Sequence, residues 1–186
     1  MAHQIADGEY KFIELGDDVH RKRQALLYLL GVVANTWSGV EFGMTCLYAT
    51  LMGKYLPHNQ KKGPPQHPIA FQIFDSLEST HKRLQLIDRL VDTLVTRKTL
   101  IKEYKKKLLP LVKNAAEKRN TLLHSYWGAN DHYPDGLIRV TAEQPMLLYK
   151  ASDFHEAINV IKSADDAVTK FEAKVGKHLK WKKRPT

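Results

Sequence analysis

The chain has 186 residues, of which 43% are hydrophobic and 26% charged, so its length and ordinary composition predict one globular domain with a buried core. Its 29 Lys and Arg residues exceed its 20 Asp and Glu residues, which leaves a formal net charge of +9. This basic excess suits an anionic partner, first of all nucleic acid, although many soluble proteins are basic without such a partner.

Cysteine content and apolar runs indicate a soluble, cytoplasmic protein that does not enter a membrane. Cys46 is the only cysteine, which excludes an internal disulfide and a cysteine-based zinc site. The residues from Met1 to His20 are polar and contain no apolar signal core. The longest apolar run, Ala25 to Ala34, is too short and too interrupted to span a bilayer.

The first predicted helix runs from about Val19 to Tyr55, because apolar residues recur there at every third or fourth position. Asp17 or Asp18 is a suitable N-cap for this helix. Prolines and glycines then predict a polar loop from Leu56 to Pro68.

Helical periodicity returns from Ile69 to Val95, as two helices or one bent helix, and Ser79 or Thr80 is placed to cap the second part. A further helix is predicted from about Arg97 to Trp127. Pro110 lies inside it, so a kink or a restart is expected at that position.

The last third of the chain predicts a change of structure. Gly128 is expected to end the preceding helix in a left-handed cap conformation. Two strand-like runs, Leu137–Thr141 and Met146–Tyr149, predict a β-hairpin. A final helix is expected from about Asp153 to Val175, and residues 177–186 form a basic tail.

These elements together predict a mainly α fold, a bundle of four to five helices with a small β-hairpin before the last helix. Residues 1–176 are expected to form one helical domain, and residues 177–186 its basic C-terminal tail.

The candidate catalytic residues are Arg119, Asn120 and His124, near the end of the helix predicted from Arg97 to Trp127, which we call the motif helix. On a helix, Asn120 and His124 lie about 40° apart, and the long side chain of Arg119 can reach round toward them. Arginine binds phosphate oxygens in a planar fork, and histidine titrates near neutral pH, so the three could form a phosphate site. The alternative is that His124 merely favours a helix C-terminus and Arg119 is a surface residue.

The string R-N-T-L-L-H-S-Y-W, from Arg119 to Trp127, resembles the signature of the HEPN superfamily of all-helical ribonucleases and nucleic-acid-associated proteins. It is similar to an R-N-x-L-x-H-x-x-W variant found in bacterial members, and the resemblance spans roughly residues 20 to 175. It implies a metal-independent endoribonuclease without a cofactor. It also implies a homodimer in which two motif helices share one composite site, and an RNA substrate.

The ribonuclease hypothesis assigns roles to the motif residues. His124 transfers protons, Arg119 binds the phosphate, and Asn120 orients His124 or donates a hydrogen bond. Two further residues are expected to support the site, Trp127 of the motif and Glu41. The carboxylate of Glu41 lies beside an apolar stripe and would pair with Arg119, or it is simply solvated.

Two basic segments are candidate nucleic-acid contacts, although a solvated surface and a frayed terminus are their ordinary meaning. They comprise Lys105, Lys106 and Lys107, and the tail residues Lys180, Lys182, Lys183 and Arg184.

Two classes of function therefore remain open. One is an endoribonuclease, such as the toxin of a toxin–antitoxin pair, with an antitoxin protein as a further partner, or a phage-defence protein. The other is a non-catalytic module of the same fold that binds nucleic acid, nucleotide or protein.

Overall fold

A computed structural model describes residues 2–5, 13–53, 68–140 and 146–179. Most of the predicted loop, the turn of the hairpin and the tail residues Lys180, Lys182, Lys183 and Arg184 lie outside these ranges. The described chain is mainly helical, as predicted, and carries a small four-stranded antiparallel sheet where a single hairpin was expected.

The described helices are α1 (Asp17–Lys22), α2 (Gln24–Met52), α3 (Pro68–Asp75), α4 (Thr80–Leu94), α5 (Lys98–Glu103), α6 (Leu109–Leu123) and α7 (Ala151–Leu179). A π-helical turn (Tyr104–Leu108) joins α5 to α6. The strands are β1 (His3–Gln4), β2 (Tyr126–Gly128), β3 (Gly136–Val140) and β4 (Leu147–Lys150), in the order β1-β4-β3-β2.

The chain groups into two compact units, each built from two segments. The first unit comprises Met1–Trp37 and Asn114–Lys162, and it contains the sheet, whose core is formed by Ile5, Ile138 and Leu148. The second unit comprises Ser38–Lys113 and Ser163–Thr186. Aromatic pairs hold its interior together, Tyr48 with Phe74 at 5.0 Å and Tyr104 with Phe171 at 5.7 Å between ring centroids. Burial raises the pKa of the Tyr104 phenol, which therefore stays protonated.

The first predicted helix is broken at Arg23, which separates α1 from α2 with a non-helical φ of −131°. The apolar stripe of the predicted helix is regular only from Leu26 onward, so the sequence pattern does not mark the break at Arg23. The Arg23 side chain is only 8% exposed and donates hydrogen bonds to four backbone carbonyls, those of Lys22, Asn130, Tyr133 and Gly136, at 3.0–3.2 Å. Tertiary hydrogen bonding thus outweighs local helix propensity at this residue.

The two middle helices and the hairpin follow the prediction. Residues 69–95 form α3 and α4 rather than one bent helix, and the Ser79 side chain accepts the backbone N–H of Lys82 at 3.2 Å as the N-cap of α4. Strands β3 and β4 pair in antiparallel register, with Ile138 opposite Leu148. Pro110 is the second residue of α6, which begins at Leu109 directly after the π turn, so α-helical structure restarts beside Pro110, where a kink or a restart was expected.

The predicted end of the motif helix is wrong in two respects. Helix α6 stops at Leu123 rather than near Trp127, and Gly128 lies in strand β2 rather than in a left-handed cap. A Cβ atom on Gly128 would lie 2.3 Å from the Ile13 side chain. The glycine is therefore required by close packing between neighbouring chain segments.

Helix α2 is, by length and composition, long and apolar enough to cross a bilayer, a property that the core helices of soluble proteins share. The apolar run from Ala25 to Ala34 was judged too short to span a bilayer, but it lies within the longer helix α2. Two of its glycines allow close approach of α7: Gly39 faces the Asp165 carboxylate, and Gly43 faces Val168. Burial in turn raises the pKa of Asp165.

Replacing Arg23 with alanine should lower the free energy of unfolding by more than about 3 kcal/mol. Several carbonyls would lose their donor together, and an unsatisfied buried group costs about 1–3 kcal/mol. Urea unfolding followed by circular dichroism measures this loss. The matched control is Arg21→Ala, because Arg21 is 78% exposed and pairs only with Asp18, so its removal should change stability by less than about 0.5 kcal/mol. Equal effects of the two substitutions would contradict the role given to Arg23.

Candidate functional site

The three candidate catalytic residues meet at the C-terminal end of α6 in the first unit. The Arg119 Nη1 atom lies 2.9 Å from Asn120 Oδ1 and 2.9 Å from His124 Nε2, so one guanidinium nitrogen contacts both neighbours. Asn120 and His124 are exposed. His124 is the first residue beyond the helix, and its backbone N–H still bonds the Asn120 carbonyl at 3.1 Å. The structure therefore brings together the residues that the motif placed on one surface.

The contact between Arg119 and His124 determines the state of the imidazole. A guanidinium can only donate hydrogen bonds, so Nε2 of His124 must accept. In this arrangement Arg119 occupies the lone pair of Nε2, so Nε2 can remove a proton from a substrate only after the guanidinium has moved away.

Arg119 is held between an aromatic ring and the surface. Its Cζ atom lies 6.0 Å from the ring centroid of Trp37, a buried residue that is 2% exposed, at the outer limit of a cation–π contact. Its Nε atom is buried and has no hydrogen-bond partner in the part of the chain that the structure describes. Among the described residues, no hydrogen bond to Nη2 is present, so this nitrogen keeps its donors for a ligand. Trp37 looked like an ordinary member of an apolar stripe, and only the fold shows its contact with Arg119.

Trp127 supports the site by closing the end of the helix. Its Nε1 donates to the Leu122 carbonyl at 3.0 Å, and the Ser125 hydroxyl donates to the Thr121 carbonyl at 2.5 Å. The last carbonyls of a helix have no partner within the helix, so these two side chains supply the missing donors. The Trp127 ring also packs edge-on against Tyr149, at 5.2 Å between centroids. These hydrogen bonds join the residues that follow His124 to the helix that precedes it, and so they fix the position of His124.

Tyr126 is an exposed aromatic residue that the sequence patterns did not single out. It follows His124 by two positions and is 80% exposed, whereas Trp127 beside it on β2 is packed inward. Neighbouring strand residues point to opposite faces, which accounts for this difference. The strand itself was not predicted, so the outward position of Tyr126 could not be inferred. An exposed aromatic ring of this kind is a surface on which a nucleobase can stack.

Glu41 does not act as the expected partner of Arg119. Its carboxylate pairs instead with Arg83 of the second unit, at 3.3 Å, and Arg83 also lies over the Phe74 ring at 5.5 Å. Glu41 is therefore neither simply solvated nor engaged with the motif. Arg83 lies on α4, whose contact with α2 is a tertiary feature that the helical pattern does not contain.

The three lysines predicted to contact nucleic acid differ in their surroundings. Lys105 forms ion pairs with Asp88 at 2.5 Å and Asp92 at 2.8 Å, and these carboxylates raise its pKa. Lys106 and Lys107 are exposed. The four basic tail residues lie outside the described residues.

A cavity of about 390 Å³ lies beside the motif helix in the first unit. Its lining includes Asn114, Lys118, Thr121, Arg139, Tyr149 and Glu156. Lys118 is paired with Glu156 at 2.6 Å, and the buried Nε of Arg139 has no hydrogen-bond partner. This mixture of both charges selects no ligand class. Within residues 2–5, 13–53, 68–140 and 146–179, no group of three or more His, Cys, Asp or Glu side chains is placed to hold a metal ion.

No protein-family model matches the chain, and no curated protein or solved structure is significantly similar to it. Function is therefore inferred from the residues and their geometry.

Replacing Trp127 with phenylalanine should lower the free energy of unfolding by at least about 0.5–1.5 kcal/mol, because the indole hydrogen bond is lost and the smaller phenyl ring keeps only part of the packing. Differential scanning calorimetry measures the change, expected as a fall in Tm of about 2–4 °C for each kcal/mol. Tyr126→Phe is the control, since it removes only a hydroxyl of a side chain that is 80% exposed. If Trp127→Phe unfolds at the wild-type temperature, the indole hydrogen bond does not stabilise the helix end.

Proposed function

We propose that this protein is a metal-independent endoribonuclease with a HEPN-like helical bundle, and that Arg119, Asn120 and His124 form its active site. The observation that carries the proposal is the 2.9 Å contact between Arg119 Nη1 and His124 Nε2. In this contact a guanidinium, a group that can bind phosphate oxygens, lies directly against an imidazole nitrogen that can accept a proton. The basic excess of the chain, +9 at neutral pH, agrees with a polyanionic substrate.

The reaction uses the 2′-hydroxyl of RNA as its nucleophile. His124 Nε2 takes the hydroxyl proton, the 2′-oxygen forms a bond to the adjacent phosphorus, and the bond from phosphorus to the 5′-oxygen breaks. The leaving 5′-oxygen then receives a proton from an acid. The products are a 2′,3′-cyclic phosphate and a free 5′-hydroxyl, and neither water nor a metal ion is consumed in this step.

Arg119 has a second role in this proposal, because it controls whether Nε2 is available. In the resting protein the guanidinium occupies the lone pair of Nε2. A phosphate anion competes for the same N–H groups and forms stronger, charge-assisted hydrogen bonds. Substrate binding would therefore draw Arg119 away from His124 and free the base. Asn120, which accepts from the same Nη1, would hold the guanidinium near the phosphate.

A second proton-transfer group is needed for the leaving oxygen, and the motif supplies one histidine per chain. We therefore include a homodimer in the proposal, in which two copies face each other across a two-fold axis and each supplies its His124. A toxin with a partner antitoxin protein, or a phage-defence protein, is the biological role that suits such an enzyme. The proposal places it in the cytoplasm.

A non-catalytic binding module is the second candidate function. Its support is that Arg119 donates to Asn120 and His124 of its own chain, so the three residues form a closed polar cluster at a helix end. In that case the cluster would stabilise the helix end or an interface, and any nucleic acid bound would remain intact.

Replacing His124 with alanine should abolish RNA cleavage, with a loss of about 10² to 10⁴ in rate, the usual contribution of a general acid–base group. Arg119→Ala should also remove cleavage, because the charge that stabilises the transition state is lost. Denaturing gel electrophoresis of labelled RNA measures the rates, and the assay contains EDTA. Wild-type products should end in a 2′,3′-cyclic phosphate, which mass spectrometry identifies.

Two controls separate catalysis from other effects. His155→Ala removes an exposed histidine of α7 and should cleave as the wild type does. RNA with hydrogen in place of the 2′-hydroxyl at the scissile position should resist cleavage. If the wild type cuts that substrate, or if His124→Ala cuts RNA at the wild-type rate, the catalytic assignment is wrong.

The protein should be a homodimer at micromolar concentration, because one motif supplies only one of the two proton-transfer groups. Light scattering coupled to gel filtration measures the mass, which should be twice the 21.3 kDa of one chain. Mixing His124→Ala with wild type should reduce activity more than dilution alone. A monomer that cleaves RNA would contradict the composite site while leaving the roles of the three residues intact.

A further inference from the structure

Five lysines that are exposed and have no described partner lie along one helical segment of the second unit, and we call this set the lysine face. It comprises Lys98 and Lys102 of α5, Lys106 and Lys107 of the π turn, and Lys113 of α6. All five are exposed, and none forms a hydrogen bond or ion pair with another described residue. Only part of this set was evident from sequence, where Lys105–Lys107 stood out as a consecutive run.

The acidic groups near this face are occupied by other cations. Glu103 is the only acidic residue between Lys98 and Lys113, and it pairs with Lys174 of α7 at 2.6 Å. Lys105, the first residue of the Lys105–Lys107 run, forms ion pairs with Asp88 and Asp92 of α4. The ion pairs therefore neutralise the inner side of this helical segment and leave the outer side positive.

The charges of the lysine face repel one another, and no described carboxylate pairs with them. Lys98, Lys102 and Lys106 follow one another at intervals of four, which places their charges on one side of a helix. A like-charge pair at this spacing destabilises a helix by about 0.2–0.5 kcal/mol. A bound polyanion would convert this repulsion into attraction. The π turn within the same segment is a rare element that often accompanies functional sites.

We propose that the lysine face binds the phosphate backbone of single-stranded RNA. The choice of RNA rests on the proposed function, whereas the existence of a polyanion surface rests on the charges alone. At a rise of about 1.5 Å per residue, the face extends for roughly 22 Å along the helix, long enough to contact several successive phosphates. A membrane surface is less suitable, because no large hydrophobic side chain among these lysines is fully exposed for insertion.

Salt dependence of RNA binding tests the proposal in the full-length His124→Ala background, which keeps the RNA intact. The variant is Lys102→Gln, Lys106→Gln and Lys113→Gln together, since glutamine matches lysine in helix propensity and the helix should persist. The control is Lys82→Gln, Lys162→Gln and Lys170→Gln, which removes the same charge from exposed positions elsewhere. Fluorescence anisotropy of a labelled oligouridylate measures Kd over a range of salt concentrations.

Each phosphate neutralised on a single strand contributes about −0.7 to the slope of log K against log salt concentration, so losing three contacts should reduce the slope by about 2. The control should keep the slope of its parent. Replacing the same three lysines with arginine should also keep it, because the charge remains. Equal losses in variant and control would overturn the proposal and leave only net charge. An unchanged slope for RNA, with lost binding to vesicles of phosphatidylserine and phosphatidylcholine, would overturn it in favour of a membrane surface.

These results are separable from the nuclease proposal. If the wild type cleaves no RNA but the slope difference between variant and control persists, the lysine face stands and the catalytic assignment fails. If the wild type cleaves RNA and the variant keeps the slope of its parent, the catalytic assignment stands and the lysine face does not bind substrate.

Discussion

The end of α6 is the constraint on which the candidate site depends. The carbonyls of the last helical turn need donors, and Trp127 and Ser125 supply them from the residues directly beyond the helix. Because Trp127 belongs to β2, the same hydrogen bond joins the helix end to the sheet. His124 lies between the two, in the short connection where the chain leaves the helix. In a continuous helix His124 would lie about 40° around the axis from Asn120. Because α6 stops at Leu123, His124 is instead the first residue beyond the helix, where its Nε2 contacts Arg119.

Arg119 combines requirements that are hard to satisfy together. Its Nε is buried without a partner, an arrangement that costs free energy, while Nη1 is shared by two neighbours and the guanidinium lies near the Trp37 ring. Such a group is restrained by its surroundings but incompletely satisfied. An oxyanion would supply what the protein does not. Under the proposed function, the cluster is therefore a resting state that phosphate can open.

Several charged side chains of the second unit are neutralised by ion pairs between helices. Lys105 and Glu103 are both neutralised by partners on other helices, and Glu41 is engaged by Arg83. Five exposed lysines without a described partner are left along α5, the π turn and the start of α6. Local rules are violated in three places, by clustered like charges, by the exposed Tyr126 ring and by the unsatisfied Nε of Arg119. Departures of this kind are expected where a protein meets a ligand, because function rather than stability selects them.

The sequence by itself determined the features that depend on near neighbours along the chain. Helical periodicity identified the helical regions, turn residues and alternation predicted the β3–β4 hairpin, and the motif spacing placed Asn120 beside His124. Tertiary structure alone decided the break at Arg23, the end of α6, the strands β1 and β2 that complete the sheet, and the partners of Glu41 and Lys105. Apart from the end of α6, where Trp127 and Ser125 bond to carbonyls four or five residues back, each of these depends on a hydrogen bond or ion pair between residues farther apart in sequence. Such contacts leave no periodic trace, because the side chain that satisfies a carbonyl or a charge is chosen by the fold and not by its neighbours in the chain.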